Sequence, residues 1–170
     1  MSKFKIKNTI YHGTIADIDN IDLTAGRGYK DFGKGFYLAY DKAQSIGIIN
    51  KNYKIALKRK YSNITKNLYA FDTSQNELEK CKVKVFNSAD IEWLDFILNC
   101  RRGKDNTDYD MVIGGVANDK VFNTVELFFD GLIDKAEAIK RLRYEKPNVQ
   151  ICFRTERALS LLHFEGSETL

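Results

Sequence analysis

The sequence has few of the residues that build disulfide frameworks or metal sites. Its 170 residues include three cysteines, two histidines and one proline. Cys81, Cys100 and Cys152 lie far apart, and an odd, scattered count favours reduced thiols in a cytosolic compartment. Because CxxC and HxxxH spacings are absent, we expect no structural zinc or other metal site.

Long apolar stretches are also absent. No apolar run approaches the roughly 18 residues of a membrane-spanning helix, and the N-terminal segment MSKFKIKNTI lacks the apolar centre of a signal peptide. We therefore expect a cytoplasmic protein with no membrane partner. Since repeats, low-complexity tracts and Pro/Ser-rich linkers are missing, the length predicts one domain over residues 1–170.

The composition is that of a globular chain, with 44% hydrophobic and 29% charged residues. Its 27 basic and 23 acidic residues give a net charge of +4. This mildly basic balance is compatible with an anionic ligand but too weak to indicate nucleic acid.

The hydrophobic pattern predicts an α+β fold. Predicted strands cover 3–11, 36–40, 64–71, 83–86, 111–116 and 148–154. Predicted helices follow Asp41 as far as about residue 58, follow Ser88, follow Thr155 over 156–161, and cover 118–129 and 134–144. Strands lie at both ends without regular βαβ alternation. The glycines at 33 and 35 precede a strand, whereas phosphate-binding glycines of Rossmann and P-loop folds follow one, so neither of those sites is predicted.

The tetrapeptide YHGT at 11–14 ends the first predicted strand. His12 can donate or accept a hydrogen bond, and the missing Cβ of Gly13 leaves backbone N–H and C=O groups open to a ligand. A neighbouring backbone donor and acceptor fit a planar carboxamide. The alternative is a histidine in an ordinary turn.

The stretch DFGKGFYLAYD at 31–41 places two glycines before a strand. Tyr37 and Ala39 face one side of that strand, and Phe36, Leu38 and Tyr40 face the other. A tyrosine beside a small residue and bare glycine backbone is suited to stacking on a flat ring. The alternative is a core tyrosine after a turn.

Together, YHGT at 11–14 and FGKGFYLA at 32–39 resemble the catalytic domain of the poly(ADP-ribose) polymerases and related diphtheria-toxin-type ADP-ribosyltransferases. The chain also resembles a family of small bacterial proteins of unknown function that carry DFGKGFYL and a final strand followed by T-E-x-A-L, here within QICFRTERAL at 150–159. The resemblance implies a split, mostly antiparallel β-sheet flanked by helices.

The resemblance also implies roles in binding NAD. His12 would bind a ribose hydroxyl, Gly13 would pair its backbone with the nicotinamide carboxamide, and Tyr37 would stack on the nicotinamide. Ser45, eight residues after Tyr37, falls where the polymerases place a serine that contacts the carboxamide.

Other positions around the motifs are implied with less detail. Thr14 and Phe36 belong to the matching stretches and to the expected NAD-binding set. Arg27 could reach the pyrophosphate of NAD or be a solvated loop arginine. Ile48 stands where the polymerases carry a second tyrosine, so the ring would be held on one face only or by another side chain.

The third catalytic position departs from the family. A glutamate normally binds the nicotinamide ribose and stabilises the positive charge that forms there, and this sequence has Gln150. An amide can hydrogen-bond but carries no charge, and the loss of about 1–2 kcal/mol slows the reaction about tenfold. Glu156 or Asp119 could substitute, although a helix start explains each of them equally well. We expect Glu126 on a helix surface.

The resemblance implies an NAD-dependent mono-ADP-ribosyltransferase that releases nicotinamide and needs no metal. Its acceptor stays open among protein, nucleic acid and small molecule, and we expect a macromolecule. The alternatives are a weak or inactive module that binds NAD or ADP-ribose, and an NAD glycohydrolase. The basic run KIALKRK at 54–60 is either a solvated helix end or a surface that attracts an acidic or nucleic-acid target.

Overall fold

The computed structural model describes residues 6, 9–25, 28–116, 119–142 and 148–170. Within these residues the strands are β1 (Thr9–Thr14), β2 (Phe36–Ala39), β3 (Asn67–Asp72), β4 (Val83–Val85), β5 (Met111–Val116), β6 (Asn148–Phe153) and β7 (His163–Thr169). The helices are α1 (Lys42–Lys58), α2 (Gln75–Leu78), α3 (Ile91–Arg101), α4 (Asp119–Phe129), α5 (Lys135–Leu142) and α6 (Glu156–Leu159).

The strands form one seven-stranded sheet in the order β4-β5-β6-β2-β1-β3-β7. Strands β4 and β5 are parallel, and the other neighbours are antiparallel. The predicted α+β class with a mostly antiparallel sheet is therefore confirmed.

The sheet is only weakly joined between the neighbouring strands β2 and β1. Strands β1 and β2 pair at Tyr11 and Ala39 only, whereas β1 pairs with β3 along its whole length and β2 pairs with β6 along its whole length. The half β4-β5-β6-β2 therefore meets the half β1-β3-β7 at a narrow junction. Strand β1 lacks ladder hydrogen bonds to β2 beyond Tyr11.

Both faces of the sheet are covered. One face packs a core from both halves, which includes Ile10, Phe36, Phe71, Ile151 and Phe153. The other face of β5 and β6 packs against α3, α4 and α5 through Val112, Cys152, Trp93, Ile97, Val121, Val125 and Leu142. The alternation of NVQICF predicts that Ile151 and Phe153 enter a core and that Cys152 faces the other side of the sheet, and β6 has this arrangement.

Local capping explains several helix boundaries. Asp41 accepts a hydrogen bond from the backbone N–H of Ala43 and begins α1, and Thr155 accepts one from Ala158 and begins α6, as predicted. The predicted cap Ser88 is wrong. Asp90 caps α3 by accepting from the Trp93 backbone N–H, and Ser88 donates to Asp90.

Other boundaries differ from the prediction. Strand β3 begins at Asn67 rather than at residue 64, and α6 ends at Leu159 rather than at residue 161. The short helix α2 and strand β7 were not predicted. Most of the first predicted strand before residue 9, and the proline at 147, lie outside the described residues.

Candidate functional site

His12 lies in β1 beside the junction of the two half-sheets. Its Nδ1 atom lies 2.7 Å from the backbone oxygen of Tyr37 in β2, and its ring stacks on Phe36 with centroids 4.4 Å apart. Because a carbonyl oxygen only accepts, Nδ1 carries the proton. The side chain of His12 thus bridges β1 and β2 where their ladder has ended.

The electrostatics of His12 favour the neutral ring. Burial lowers the pKa of His12 below 6.5 and outweighs the opposing hydrogen bond to the Tyr37 carbonyl, and the positive charge of Lys30 lowers it further. In the neutral ring Nε2 has a free lone pair, and no described residue hydrogen-bonds that atom. This nitrogen can therefore accept a hydrogen bond from a hydroxyl of a ligand.

Gly13 lies one residue further along β1, where helix α1 approaches the sheet most closely. A Cβ on Gly13 would lie 2.5 Å from the backbone oxygen of Ser45 and 2.7 Å from the Ile49 side chain. Glycine is therefore required for packing, whether or not a ligand contacts its backbone.

Ser45 is buried beside Gly13, at 1% exposure. Its hydroxyl donates to the backbone oxygen of Tyr11 over 3.3 Å and ties α1 to β1. The structure therefore brings Gly13 and Ser45 together, as their expected shared role in binding a carboxamide requires. The Ser45 hydroxyl would have to change partner to bind a ligand.

Tyr37 holds the loop that precedes it. Its hydroxyl donates to the backbone oxygen of Gly33 over 2.7 Å and accepts from the backbone N–H of Phe32 over 3.1 Å. Burial, followed by the nearby Cys152, raises the pKa of Tyr37 well above 10, so the phenol stays protonated and keeps donating. The tyrosine is both a loop clamp and a candidate stacking surface.

The loop is fixed by ion pairs as well. Arg101 in α3 binds Asp31 at 2.7 Å and also contacts Glu126 in α4. Arg154 pairs with Asp105, and both side chains lie near Gly33. The stretch before β2 is therefore bound to α3 through Asp31 and lies against the Arg154–Asp105 pair at Gly33.

The two loop glycines have separate structural reasons. Gly33 has a φ of 75°, in the left-handed region that favours glycine. A Cβ on Gly35 would lie 2.5 Å from the Cys152 sulfur and 2.6 Å from the Phe153 oxygen. The close approach of this loop to β6 therefore accounts for Gly35 without a ligand.

Lys30 lies over the candidate stacking surface. Its Nζ is 4.7 Å from the centroid of the Tyr37 ring, a cation–π distance. A flat ring that stacks on this face of Tyr37 must displace the ammonium group, which could then pair with an anionic part of the same ligand.

Gln150 in β6 is held beside β2 by the strand register. Gln150 pairs with Ala39 of β2 and Gly114 of β5, and Tyr37 pairs with Cys152 two residues further along β6. Paired residues in a sheet share a face, so Gln150 lies on the face of Tyr37. Its side-chain amide has no hydrogen-bond partner among the described residues.

The register also separates the motif residues. Tyr11 pairs with Ala39, so Gly13 falls on the face of Tyr37 and Gln150. His12 falls on the opposite face, against Phe36, and approaches the others at the junction between β1 and β2.

The remaining predicted residues lie at varied distances from this face. Phe36 is 8% exposed in the core, and Thr14 ends β1 and accepts from the Ala16 backbone N–H. Ile48 is a half-buried residue of α1. Arg27 lies outside the described residues.

The carboxylates considered as substitutes are spread over the fold. Glu156 is exposed in the first turn of α6, beyond the end of β6. Asp119 is the first residue of α4, and its side chain is outside the described part of the chain. Glu126 lies on the surface of α4, as expected, and pairs there with Arg101.

Sequence reasoning missed Lys30 and the ion pairs that hold the loop. Arg101 and Asp31 are 70 positions apart, and Arg154 and Asp105 are 49 apart. No local pattern links such pairs. The lysine seven residues before Tyr37 was visible, but its position over the ring depends on the fold of the loop.

No motif residue lines the surface groove between α3 and α5. Its volume is about 380 Å³, and it is lined by Ile91, Lys135, Ala136, Ile139 and Lys140. Among the described residues, no group of three histidine, cysteine or acidic side chains could hold a metal ion, and no helix has the length and hydropathy to cross a bilayer.

Comparison with known proteins places most of the chain in a protein family. The model of a family described as "Protein of unknown function (DUF3990)" matches residues 8–164. No curated protein and no solved structure matches the chain.

Proposed function

Because the chain belongs to the DUF3990 family of proteins of unknown function, its activity must be inferred from its own residues, and we propose that it is an NAD-dependent mono-ADP-ribosyltransferase. The observation that carries the proposal is the common face of Gly13, Tyr37 and Gln150 beside the junction of β1 and β2. These residues come from three strands and stand, in order, at the motif positions of ADP-ribosyltransferases, with Gln150 in place of the glutamate.

In the proposed site, different residues bind different parts of the NAD molecule. The nicotinamide ring stacks near Tyr37, with its carboxamide against the Gly13 backbone and next to Ser45. Nε2 of His12 accepts a hydrogen bond from a ribose hydroxyl, which the neutral ring allows. Lys30, displaced from the tyrosine ring, pairs with the pyrophosphate.

The chemical step breaks the bond between the ribose C1′ atom and the nicotinamide nitrogen. The bonding electron pair leaves with the nicotinamide, and positive charge develops on the ribose. The acceptor nucleophile then bonds to C1′ and gives up a proton to solvent. Gln150 binds a ribose hydroxyl through its side-chain amide but supplies no negative charge, so we propose a slow transfer of single ADP-ribose units.

The proposed binding mode is tested by calorimetric titration with NAD. Tyr37→Ala removes the ring and should weaken affinity about tenfold or more, on the scale of aromatic stacking. Tyr37→Phe retains the ring and should weaken affinity less. Tyr61→Ala, at the far end of α1, is the matched control and should bind as the original chain does.

The site assignment would be wrong if Tyr37→Ala and His12→Ala, both folded by circular dichroism, bound NAD with unchanged affinity. Activity is measured separately as nicotinamide released from labelled NAD, with protein and nucleic-acid acceptors and without any. Release that does not depend on an acceptor would identify an NAD glycohydrolase instead.

A second candidate is a module that binds NAD or ADP-ribose without reacting. The neutral amide at position 150 favours it, because the fold places no carboxylate at this register position. Binding without any nicotinamide release, in the presence of all acceptors tried, would support this function over transfer.

A further inference from the structure

Positive charge is concentrated in one segment of the chain. Residues 42–71 include seven lysine and arginine residues and no aspartate or glutamate. Because the whole chain has 27 basic and 23 acidic residues, the other 140 residues carry 20 and 23. The modest net charge of the protein therefore conceals one strongly basic region within an otherwise slightly acidic chain.

Helix α1 displays much of this charge on its solvent side. Lys54 and Lys58 are one turn apart and exposed, and they lie opposite the buried residues Ile49 and Ala56. Arg59 and Lys60, both exposed, follow at the end of the helix. We call Lys54, Lys58, Arg59, Lys60 and Tyr61 the basic end of α1.

The cations of the basic end have no acidic partners in the part of the chain that the structure describes. Among the described residues, no carboxylate forms an ion pair with Lys54, Lys58, Arg59 or Lys60. By contrast, Lys42 at the start of the same helix pairs with Glu168 over 2.7 Å. The basic end therefore presents uncompensated charge to solvent.

Lys60 occupies a backbone position that usually belongs to glycine. Its φ is 60°, and the Lys60 and Tyr61 backbone N–H groups bond the Leu57 and Ala56 oxygens, which closes α1 with a Schellman motif. A residue with a Cβ is disfavoured in this conformation. The chain thus carries a cation where glycine would suit the fold better.

Flat side chains lie among these cations. The Tyr61 ring is 57% exposed at the end of α1. Tyr53, five residues before the end of α1, is half-buried and has the Lys66 ammonium group 4.9 Å from its ring centroid. Exposed aromatic rings among basic side chains are the combination by which proteins bind single-stranded nucleic acid, with bases on the rings and phosphates on the cations.

We propose that the basic end of α1 docks single-stranded nucleic acid. This inference goes beyond the proposed transferase, since docking requires neither NAD nor catalysis. If the transferase function also holds, the bound strand supplies the acceptor, because Ser45 lies on the same helix only about 20 Å from Lys58.

An anionic membrane fits these residues less well. The exposed apolar residues of this region, Ile55 and Leu57, are two positions apart and therefore lie on different sides of α1, flanking the lysines. A helix that inserts into a bilayer surface needs one continuous apolar face.

The test measures binding of a fluorescent single-stranded oligonucleotide of about 16 residues by anisotropy, without NAD, over a range of salt concentrations. The triple variant Lys54→Gln, Lys58→Gln, Lys60→Gln should lose about tenfold or more in affinity. The slope of log affinity against log salt should become shallower by about 2, or roughly 0.7 for each cation removed.

The matched control is Lys80→Gln, Lys104→Gln, Lys140→Gln, which removes the same charge from exposed sites elsewhere. It should bind nearly as tightly as the original chain. Equal losses in the two triple variants would mean that only net charge matters and would overturn the proposal. Absence of binding by the original chain at low salt would also overturn it.

Two single substitutions separate docking from folding. Lys60→Gly relieves the backbone conformation, so it should weaken binding without lowering the melting temperature. Tyr61→Ala should weaken binding about fivefold or more, and Tyr61→Phe should retain it. If the affinity for the oligonucleotide falls in parallel with the melting temperature across these variants, the basic end serves only to end α1, and the proposal fails.

Alternative partners are tested with the same variants. Phosphatidylserine vesicles and polyglutamate should bind more weakly than the oligonucleotide, without dependence on Tyr61. If either binds as tightly and shows the same dependence on Tyr61 and the lysines, the surface is specific for that partner and the proposal fails. Because no arm uses NAD, failure here leaves the proposed transferase untouched.

Discussion

At the scale of single residues, Tyr37 shows how one side chain can have two explanations. Its ring is a suitable stacking surface, yet its hydroxyl clamps Phe32 and Gly33 and its face lies under Lys30. A substitution at Tyr37 therefore affects the loop as well as any ligand. Tyr37→Phe and Tyr37→Ala together separate the ring from the hydroxyl.

Lys60 gives a prediction about stability. A left-handed conformation costs a residue with a Cβ about 1–2 kcal/mol, and the greater freedom of glycine in the unfolded chain offsets about 0.4–1 kcal/mol of the gain. Lys60→Gly should therefore raise the free energy of unfolding by about 0.5–1 kcal/mol, measured by urea denaturation.

The control for Lys60→Gly is Asn63→Gly. Asn63 has a φ of 58°, and asparagine tolerates this conformation better than lysine does. Its gain in stability should be smaller. A larger gain at Asn63 than at Lys60 would contradict the assignment of strain to Lys60.

His12 gives a prediction about pH. Its folded-state pKa is lowered, so below about pH 6.5 the unfolded chain binds a proton that the folded chain does not. The free energy of unfolding should therefore fall as pH decreases from about 6.5 toward the folded-state pKa, with a slope of at most about 1.4 kcal/mol per pH unit.

The measurement is urea denaturation between about pH 8 and pH 5.5. His12→Gln keeps a donor for the Tyr37 carbonyl and has no ionisable group, so its stability should vary less over this range. Hydrogen bonds and nearby arginines overcome the effect of burial and lower the pKa values of Asp105 and Asp110, so these carboxylates lose their stabilising charge at lower pH. An unchanged pH dependence in His12→Gln would refute the role of this histidine.

At the scale of elements, β6 determines what the site can do. Its pairing with β2 and β5 places Gln150 between Ala39 and Gly114, and the rings of Phe32 and Phe86 pack closely over Gly114. Helix α1 limits the space beside Gly13 on the other side of the site, because the helix backbone lies where a Cβ of Gly13 would be.

The position of Gln150 predicts a gain of activity. If the proposed transferase lacks a negative charge at this point, Gln150→Glu should raise nicotinamide release about tenfold, or roughly 1.4 kcal/mol in the barrier. The new carboxylate would act where positive charge develops in the transition state. The assay is nicotinamide released per hour from labelled NAD.

Glu156→Gln is the matched control and should leave the rate unchanged, since Glu156 lies beyond β6. A fast original chain that is slowed by both Gln150→Glu and Glu156→Gln would show that Glu156 already supplies the charge.

At the scale of the whole molecule, one core spans the junction between the half-sheets. Ile10 and Phe71 from one half pack with Phe36, Ile151 and Phe153 from the other, so the halves share an apolar face despite their single ladder pair. The second core, beneath α3 to α5, belongs to the half β4-β5-β6-β2.

The three thiols report on the integrity of these cores. Cys100 and Cys152 are buried and Cys81 is partly exposed. Burial raises the pKa of Cys152 to about 12 and also raises that of Cys81 and Cys100. Iodoacetamide at neutral pH should therefore modify Cys81 slowly and the other two thiols only after unfolding, as measured by mass spectrometry. Rapid modification of Cys152 in the folded protein would contradict the packing of β6 against α3 and α4.

The sequence by itself determined the features that depend on near neighbours. The capping residue Asp41 predicted where α1 begins, and the alternation of NVQICF predicted that Ile151 and Phe153 of β6 enter the core. The motifs YHGT and FGKGFYLA could be recognised in the sequence because the residues of each motif are adjacent. Capping and alternation act over a few residues, so a short window contains the whole cause.

Only the tertiary structure decided the relations among distant segments. The polar, glycine-containing strand β7 has no strong pattern of its own and exists because it pairs with β3. The same holds for Lys30 over Tyr37, for Arg101 on Asp31, and for Gln150 on the face of Gly13. Such contacts depend on strand register and loop closure across many residues, and no local preference encodes them.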